Sequence, residues 1–242
     1  MNSAELFYKT QSTHTPIFPK VPDHIESDED LVRWLFKENI AFIDIDLTID
    51  LEAWQREALI AAPFLVPHRE SDSQGWNSCC IHGIDVDKTG LWMNYCAFEP
   101  EYNWTELSKL TPTITEFWKS LPFEKFARVR FMELEPNGYI DPHVDAPKDF
   151  DQDFNLLDHL IPFNIAVIHP DDCYMSLKDH GVVPWKNGNI RLVNITNEHS
   201  VINFSNQPRI HMIGHGLIGN RFSDFCKLIA RSYRAQYERY RI

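Results

Sequence analysis

The sequence predicts a mainly β protein in which helices flank a core of short strands. From Ala127 onward, apolar and polar residues alternate with a period of two, which is typical of strands with one buried face. Short apolar segments then follow one another with turn residues between them, and this spacing indicates a sandwich or a barrel. On both sides of this region the apolar residues recur at helical spacing instead. The chain of 242 residues can bury one large core.

We interpret the chain as one structural domain with three parts. Residues 1–126 are expected to form an N-terminal arm plus a helical and substrate-loop region packed on the core. Residues 127–220 form the core itself, and residues 221–242 a C-terminal helix. The first 28 residues are polar and interrupted by prolines, so they are either a mobile arm or a strap across the domain surface.

Three helices are predicted before the core. The first begins at Asp28, where acidic residues precede apolar residues at helical spacing, and the second covers residues 51–62. The third runs over residues 104–120, and Pro112 should kink or split it. Between the second and third helices, the polar segment 67–90 is interpreted as a substrate-facing loop with an edge strand, or equally well as a plain surface excursion.

Six or more short strands are predicted in the core, five of them in definite segments, and a turn at the Asn-Gly-Tyr sequence 137–139 should end the first. The segments are residues 127–134, 161–168, 188–195, 199–204 and 209–214. The final helix should bury one apolar face and leave most of its arginines in solvent. That face consists of Phe222, Phe225, Ile229, Tyr233 and Tyr240.

Charge and cysteine usage exclude several function classes. The 23 Lys and Arg residues against 35 Asp and Glu give a net charge of −12, which disfavours binding to nucleic acids and to anionic membranes. An odd number of cysteines without a Cys-x-x-Cys pair favours reduced thiols over disulfides or a zinc ribbon. They are Cys79, Cys80, Cys96, Cys173 and Cys226. With no signal peptide and no long apolar run, we expect a cytoplasmic protein.

The first candidate site residues are His143 and Asp145, which follow the predicted turn. They stand two positions apart, so that on a continuing strand both side chains leave the same face. An imidazole and a carboxylate on one face can share a metal ion. A single His-x-Asp pair is a weak signal, because it occurs often by chance.

A second segment strengthens this interpretation, because His199 is followed ten residues later by Arg209 across an asparagine-proline turn. We predict a hairpin that brings both side chains toward one cavity. Two histidines and one carboxylate are the facial triad of non-haem iron(II) oxygenases, which leaves three coordination positions open. An arginine offers the planar pair of donors that binds a carboxylate.

Other histidines leave the ligand set open at this stage. His211 and His215 follow Arg209 closely, although His211 shares a strand face with Arg209 and suits a hydrogen-bonded core position equally well. His159 and His169 flank the segment 161–168, and we expect them at the surface or behind the ligands.

From about residue 127 to residue 215, the chain resembles the aspartyl/asparaginyl β-hydroxylase family, which shares its fold with bacterial proline cis-hydroxylases. The order and spacing of several motifs carry the resemblance. They are Arg-x-Arg-Phe at 128–131, Pro-Asn-Gly at 136–138, His143-x-Asp145, the segment 165–173, Pro184-Trp185, Gly188, His199 and Arg209. The resemblance implies a double-stranded β-helix core, that is, a cupin-like jelly roll.

The resemblance also implies roles for individual residues. His143 and His199 would bind iron, and Arg209 would hold the distal carboxylate of 2-oxoglutarate. Asp145 would complete the triad, as in the proline cis-hydroxylase branch, which argues against a halogenase. Asn164 stands where family members often have a histidine that helps to bind the cosubstrate, and an asparagine can still donate a hydrogen bond.

One substrate contact is suggested by strand alternation rather than by the resemblance. Arg128 and Arg130 should point to one face, and we expect Arg128 to form ion pairs and Arg130 to contact a carboxylate of the substrate. The expected activity is hydroxylation of an unactivated C–H bond of an amino acid, peptide or small metabolite. It would require iron(II), 2-oxoglutarate and dioxygen and release succinate and CO2. The alternative is a metal-binding cupin-like module without oxygenase turnover, or a cupin that uses another metal.

Overall fold

The computed structural model describes residues 1–69, 71–90, 101–145 and 160–241. The helices in these ranges are α1 (Ser3–Gln11), α2 (Asp28–Lys37), α3 (Leu51–Ala61), α4 (Glu106–Leu110), α5 (Pro112–Ser120) and α6 (Phe222–Tyr240). The strands are β1 (Phe42–Asp44), β2 (Val66–Pro67), β3 (Ser73–Gly83), β4 (Asn103–Trp104), β5 (Lys125–His143), β6 (Leu160–Ile168), β7 (Cys173–Leu177), β8 (Gly181–Val182), β9 (Ile190–Val193), β10 (His199–Asn203) and β11 (Arg209–Leu217).

The long strand β5 joins two halves of one curled antiparallel sheet. The strand order is β1-β9-β6-β11-β5-β10-β7-β8, and β3 also pairs with β5. Because β3 pairs with both halves of β5, strands β10 and β11 must share the opposite edge. The sheet therefore curls at the middle of β5 into a half-barrel with helices on its outside. The predicted class, a mainly β protein with a jelly-roll core and flanking helices, is confirmed.

The predicted hairpin between His199 and Arg209 is wrong. Strands β10 and β11 are both antiparallel to β5, one along its second half and one along its first half, so they run in the same direction. The connecting residues form a small excursion held by the Asn203 side chain, whose amide nitrogen donates to three backbone carbonyls. The acceptors are Leu134 (3.2 Å), Glu135 (3.1 Å) and Gln207 (2.8 Å).

The turn predicted at residues 137–139 is also wrong, because β5 continues through it. Asn137 adopts a positive φ of 61°, a conformation that asparagine tolerates better than most residues, and the strand bends here instead of reversing. Partner strands lie along both edges of β5 up to Leu134 and again from Tyr139, on either side of the bend.

Alternate residues of the central strands build two different faces. One face is apolar and packs beneath α2, α3, α5 and α6. Its central residues are Cys79, Ile81, Val129, Phe131, Phe163, Ile165, Val167, Ile210 and Met212. The other face lines the inside of the half-barrel and mixes apolar with buried polar side chains. Its central residues are Trp76, Arg128, Arg130, Met132, Leu134, Asn164, Ala166, Arg209 and His211.

The helices before the core agree with the predictions in position. Helix α2 begins at Asp28, α3 ends at Ala61 shortly before a proline, and the third helix is split by Pro112 into α4 and α5. The segment 67–90 differs from its interpretation, because β3 is an 11-residue strand with β5 on one side and β2 and β4 on the other. It is therefore neither an edge strand nor a surface excursion.

The first residues of the chain lie across the sheet as a strap. Helix α1 begins after Asn2, whose side chain accepts a hydrogen bond from the backbone N–H of Glu5. Tyr8 stacks on Tyr174 of β7 with a ring-centroid distance of 4.5 Å. This helix was not predicted, since it buries few residues and the signal of one apolar face is weak.

The described cysteines are free and buried, as expected for reduced thiols; Cys96 lies outside the described residues, as does His159. Among the described helices, none is long and apolar enough to cross a membrane. The C-terminal helix α6 buries Phe225, Ile229 and Tyr233 of the predicted apolar face, whereas Phe222 and Tyr240 are half-buried.

Candidate functional site

His143 and His199 face each other at the end of the barrel. They are direct partners in the pairing of β5 with β10, and their ring centroids lie 4.4 Å apart. Asp145 follows two residues after β5 ends. Its Oδ1 is 3.5 Å from Nε2 of His143 and its Oδ2 is 3.8 Å from Nε2 of His199. Ligand atoms of all three side chains lie within 4.8 Å of one another, which is compatible with a shared metal ion.

Backbone carbonyls orient both imidazole rings. The Nδ1 atom of His143 lies 2.7 Å from the carbonyl oxygen of Asp141, and that of His199 lies 3.0 Å from the carbonyl oxygen of Asn197. A carbonyl oxygen can only accept, so Nδ1 of each ring donates to it, and in the neutral ring the lone pair of Nε2 lies on the side of Asp145. This is the orientation that a second layer of hydrogen bonds gives to metal-binding histidines.

The protonation of this cluster is coupled. Burial, followed by the charge of His143, lowers the pKa of His199 to about 4. Burial also opposes the charged form of His143, but hydrogen bonds to Asp145 and to the Asp141 carbonyl raise the pKa of His143 above its ordinary value. Burial would raise the pKa of Asp145, yet the contact with His143 and the charge of His199 lower it. A cation bound between the three side chains would compete with protons for the same ligand atoms.

Arg209 lies at the start of β11, only 2% exposed, inside the barrel. Its Nη2 is 2.9 Å from Nδ1 of His211. Because a guanidinium only donates, Nδ1 must accept and the proton of His211 must be on Nε2. That Nε2 lies 3.0 Å from Nδ1 of His169, which accepts from it. Burial, and then the charge of Arg209, keep the pKa of His211 well below its ordinary value, consistent with this neutral form.

Asn164 contacts the same histidine. Its amide oxygen lies 2.8 Å from Nδ1 of His211, the atom that Nη2 of Arg209 also approaches, and this nitrogen has a single lone pair or a single proton to share between the two contacts. Asn164 is thus linked to Arg209 through His211. The Nε atom of Arg209 is buried and has no hydrogen-bond partner within the described ranges, so this guanidinium has donor capacity for an anion.

The two arginines of the Arg-x-Arg segment are both buried on the inner face, as the alternation predicted. Nη1 of Arg128 and Nη1 of Arg130 donate to the carbonyl oxygen of Thr89, at 2.5 and 3.0 Å. Burial, followed by the positive charges of Arg130 and Arg128, keeps the pKa of His215 well below its ordinary value. Neither His211 nor His215 belongs to the cluster formed by His143, Asp145 and His199.

Sequence reasoning missed one residue of this site. Nη1 of Arg69, in the loop before β3, donates to Oδ1 of Asp145 at 3.0 Å. Sequence motifs gave no signal for it, because the two residues are 76 positions apart and meet only through the fold. The ring centroid of Trp76 in β3 lies 6.5 Å from that of His143.

Comparison with known proteins finds one matching family profile and several similar solved structures. A family profile described as aspartyl/asparaginyl beta-hydroxylase matches residues 55–215. A prolyl-4-hydroxylase from Pseudomonas putida is similar at 17% identity, with 79% of this chain and 98% of that chain covered and a TM-score of 0.44. A 2OG-Fe(II) oxygenase-family oxidoreductase from Burkholderia pseudomallei is similar at 11% identity, covering 86% and 98%, with a TM-score of 0.44. No curated protein matches significantly.

A third similar structure contains a bound peptide. It is a prolyl hydroxylase from Trichoplax adhaerens in complex with a fragment of the hypoxia-inducible factor oxygen degradation domain, at 12% identity and a TM-score of 0.45. The match covers 81% of this chain and 93% of that chain. We take no residue role and no substrate from these distant structures.

Proposed function

Because this chain belongs to the aspartyl/asparaginyl beta-hydroxylase family of 2-oxoglutarate-dependent oxygenases, we propose that it hydroxylates an unactivated C–H bond of an amino acid, a peptide or a small metabolite. The reaction would consume 2-oxoglutarate and dioxygen with iron(II) and release succinate and CO2. The observation that carries this proposal is one barrel interior that holds both the His143–Asp145–His199 cluster and the buried Arg209.

The donor set fits iron(II). Two imidazole nitrogens and one carboxylate leave three positions open on one side of the metal, as in non-haem iron oxygenases. The orientation of both Nε2 lone pairs toward Asp145 supports the assignment of His143, Asp145 and His199 as the ligands. When bound, the iron with 2-oxoglutarate supplies the oxidising chemistry, and the protein supplies binding, orientation and exclusion of water.

Arg209 is the proposed anchor for the distal carboxylate of 2-oxoglutarate. Its guanidinium is buried, so a carboxylate that binds to it is desolvated and strongly held. His211 accepts from Nη2 and thereby limits the rotation of the guanidinium, while Asn164 adds a polar group beside it. Apolar neighbours of this region, such as Met132 and Ala166, keep water away from it.

Arg130 remains our proposed contact for a carboxylate of the substrate. It is buried on the inner face of the barrel, where its Nη1 donates to the carbonyl oxygen of Thr89 at 3.0 Å. A metal-binding module without turnover would not require a buried arginine with free donor capacity, so we prefer the oxygenase.

The test of this proposal is the binding of 2-oxoglutarate to Arg209→Ala, with manganese(II) in place of iron. In the natural sequence, manganese and 2-oxoglutarate together should raise the melting temperature more than manganese alone. Arg209→Ala should keep the effect of manganese and weaken 2-oxoglutarate binding by about 30-fold or more, because one partner of a buried charge pair is removed. The matched control is Arg234→Gln, which removes an exposed ion pair with Asp28 on the outside of the protein. Unchanged 2-oxoglutarate affinity in Arg209→Ala would overturn the assignment.

A further inference from the structure

Arg191 is a buried arginine of β9 that belongs neither to the metal cluster nor to the proposed cosubstrate contacts. It is 2% exposed and pairs with Asn164 of β6, so its side chain lies on the inner face of the sheet. Its Nε donates to Oδ1 of Asp44 on β1 at 2.5 Å, whereas its Nη1 is buried and has no hydrogen-bond partner among the described residues. Such an N–H costs free energy, and a buried ion pair often stabilises a fold no better than apolar side chains do. The free energy of folding therefore does not explain why an arginine lies here.

Two aromatic rings fix the plane of this guanidinium. The Cζ atom of Arg191 lies 4.6 Å from the ring centroid of Phe42 and 4.8 Å from that of Trp185. A planar guanidinium packs on aromatic rings in a way that a lysine ammonium does not. Because Asp44 holds Nε at the same time, the Arg191 side chain has little freedom to rotate.

The carboxylate that holds Arg191 is itself fixed by the C-terminal helix. Strand β1 lies at the end of the strand order and pairs with β9. On its other edge, the side-chain oxygen of Gln236 accepts from the backbone N–H of Asp44 at 2.6 Å. Nε2 of Gln236 donates to the carbonyl oxygen of Phe42 at 3.1 Å. Helix α6 thereby keeps Asp44 in position beside Arg191.

Trp185 connects Arg191 to the proposed cosubstrate contacts. It lies between β8 and β9 and is 7% exposed, and its indole nitrogen is buried without a hydrogen-bond partner in the described part of the chain. Packing rather than a hydrogen bond therefore sets the orientation of its ring. The ring centroid is 4.7 Å from that of His211, with 72° between the ring planes. His211 in turn lies with Nδ1 2.9 Å from Nη2 of Arg209.

From these contacts, we propose that Arg191 is a positioning residue for the cosubstrate. Held by its carboxylate partner, it keeps the ring of Trp185 against His211. His211 in turn keeps the guanidinium of Arg209 oriented for the distal carboxylate of 2-oxoglutarate. This proposal rests on the proposed function and adds to it a residue that touches neither the metal ligands nor Arg209.

The first test is calorimetric titration of manganese-loaded variants with 2-oxoglutarate. Arg191→Lys keeps the positive charge but loses the planar group that packs on Trp185, so the affinity should fall by about fivefold. Asp44→Asn weakens the hold on Arg191 and should also lower the affinity. If Arg191 attracted the cosubstrate through its charge instead, Arg191→Lys would have no effect and Asp44→Asn would strengthen binding, and either result would overturn the proposal. Manganese affinity should stay constant, which shows that the variants are folded.

The matched control is Arg239→Gln. Nη1 of Arg239 donates to Oδ2 of the same carboxylate at 3.1 Å, but this side chain is 62% exposed and does not contact Trp185. Its replacement leaves the hydrogen bond between Asp44 and Arg191 in place, so the affinity for 2-oxoglutarate should not change. A loss in the control equal to that in Arg191→Lys would show a general effect of the region and overturn the proposal.

A double-variant cycle tests whether Arg191 acts through Arg209. In the background of Arg209→Ala, Arg191→Lys should cause no further loss of 2-oxoglutarate affinity, because no guanidinium is left to orient. Additive losses would show that Arg191 acts independently of Arg209, and the proposal would fail.

The contact between Trp185 and His211 is tested without cosubstrate. In protein with ¹³C-labelled histidine, the ring signal of His211 is assigned by its loss in His211→Asn. The ring current of Trp185 contributes to this chemical shift, so Trp185→Leu and Arg191→Lys should move the signal in the same direction, and Arg239→Gln should not. An unmoved signal in Arg191→Lys would overturn the proposal. Unchanged 2-oxoglutarate affinity in Arg209→Ala would instead count against the proposed function, and the histidine signal would still decide whether Arg191 holds the ring pair.

Discussion

The two faces of the central strands come from alternate residues of the same segments, yet their chemistry is opposite. On the outer face, Val129 and Met212 are fully buried against helices. On the inner face, Arg130 and His211 are buried almost as deeply among charged and polar groups. Burial of apolar side chains stabilises the fold, whereas burial of arginine and histidine costs free energy unless every group is paired. This difference indicates that the outer face stabilises the fold, whereas the inner face positions polar groups for binding and catalysis.

The largest effect should come from His199→Ala on the inner face. Loss of one of three proposed ligands should weaken manganese(II) binding by more than about 100-fold, since even indirect partners of a metal ligand contribute 10- to 100-fold. The melting temperature should then no longer respond to manganese. His24→Ala, which replaces an exposed histidine, should leave the response intact. Survival of tight binding in His199→Ala would direct attention to His211 or His215 as the third ligand.

The outer face should respond in the opposite way to Trp118→Ala. Trp118 of α5 is fully buried and lies directly on β11, where a Cβ added to Gly214 would be 2.4 Å from its ring. Its truncation should lower the free energy of unfolding by about 3–5 kcal/mol, measured by urea denaturation. Phe64→Ala, at a residue that is 40% exposed, should cost much less. Manganese affinity of the folded protein should not change, and a specific loss of that affinity would contradict the separation of the two faces.

The sequence predicted these faces better than it predicted how the strands meet. Alternation in segments such as 128–131 and 209–212 predicts both strands and their two faces, because the period of two is local. The bend of β5 and the collinear arrangement of β10 and β11 were missed. Both depend on strand pairing between residues that are far apart in the sequence. Arg69 was missed for the same reason, since only the fold brings it to Asp145. The ligand positions were predicted from motif spacing together with the family resemblance, and their roles remain proposals.

The smallest predicted effect concerns His211 on the inner face. This side chain is as fully buried as those of the outer face, but it contacts the guanidinium of Arg209. If its role is to accept from Arg209, His211→Leu should weaken 2-oxoglutarate binding by about tenfold, the equivalent of one buried hydrogen bond. His211→Asn, whose side-chain oxygen can take the place of Nδ1, should recover part of this loss. Calorimetric titration of the manganese-loaded variants measures both. Manganese affinity should stay constant, because His211 lies outside the metal cluster. Equal 2-oxoglutarate affinity in the leucine variant and the natural protein would show that His211 only fills space, as the residues of the outer face do.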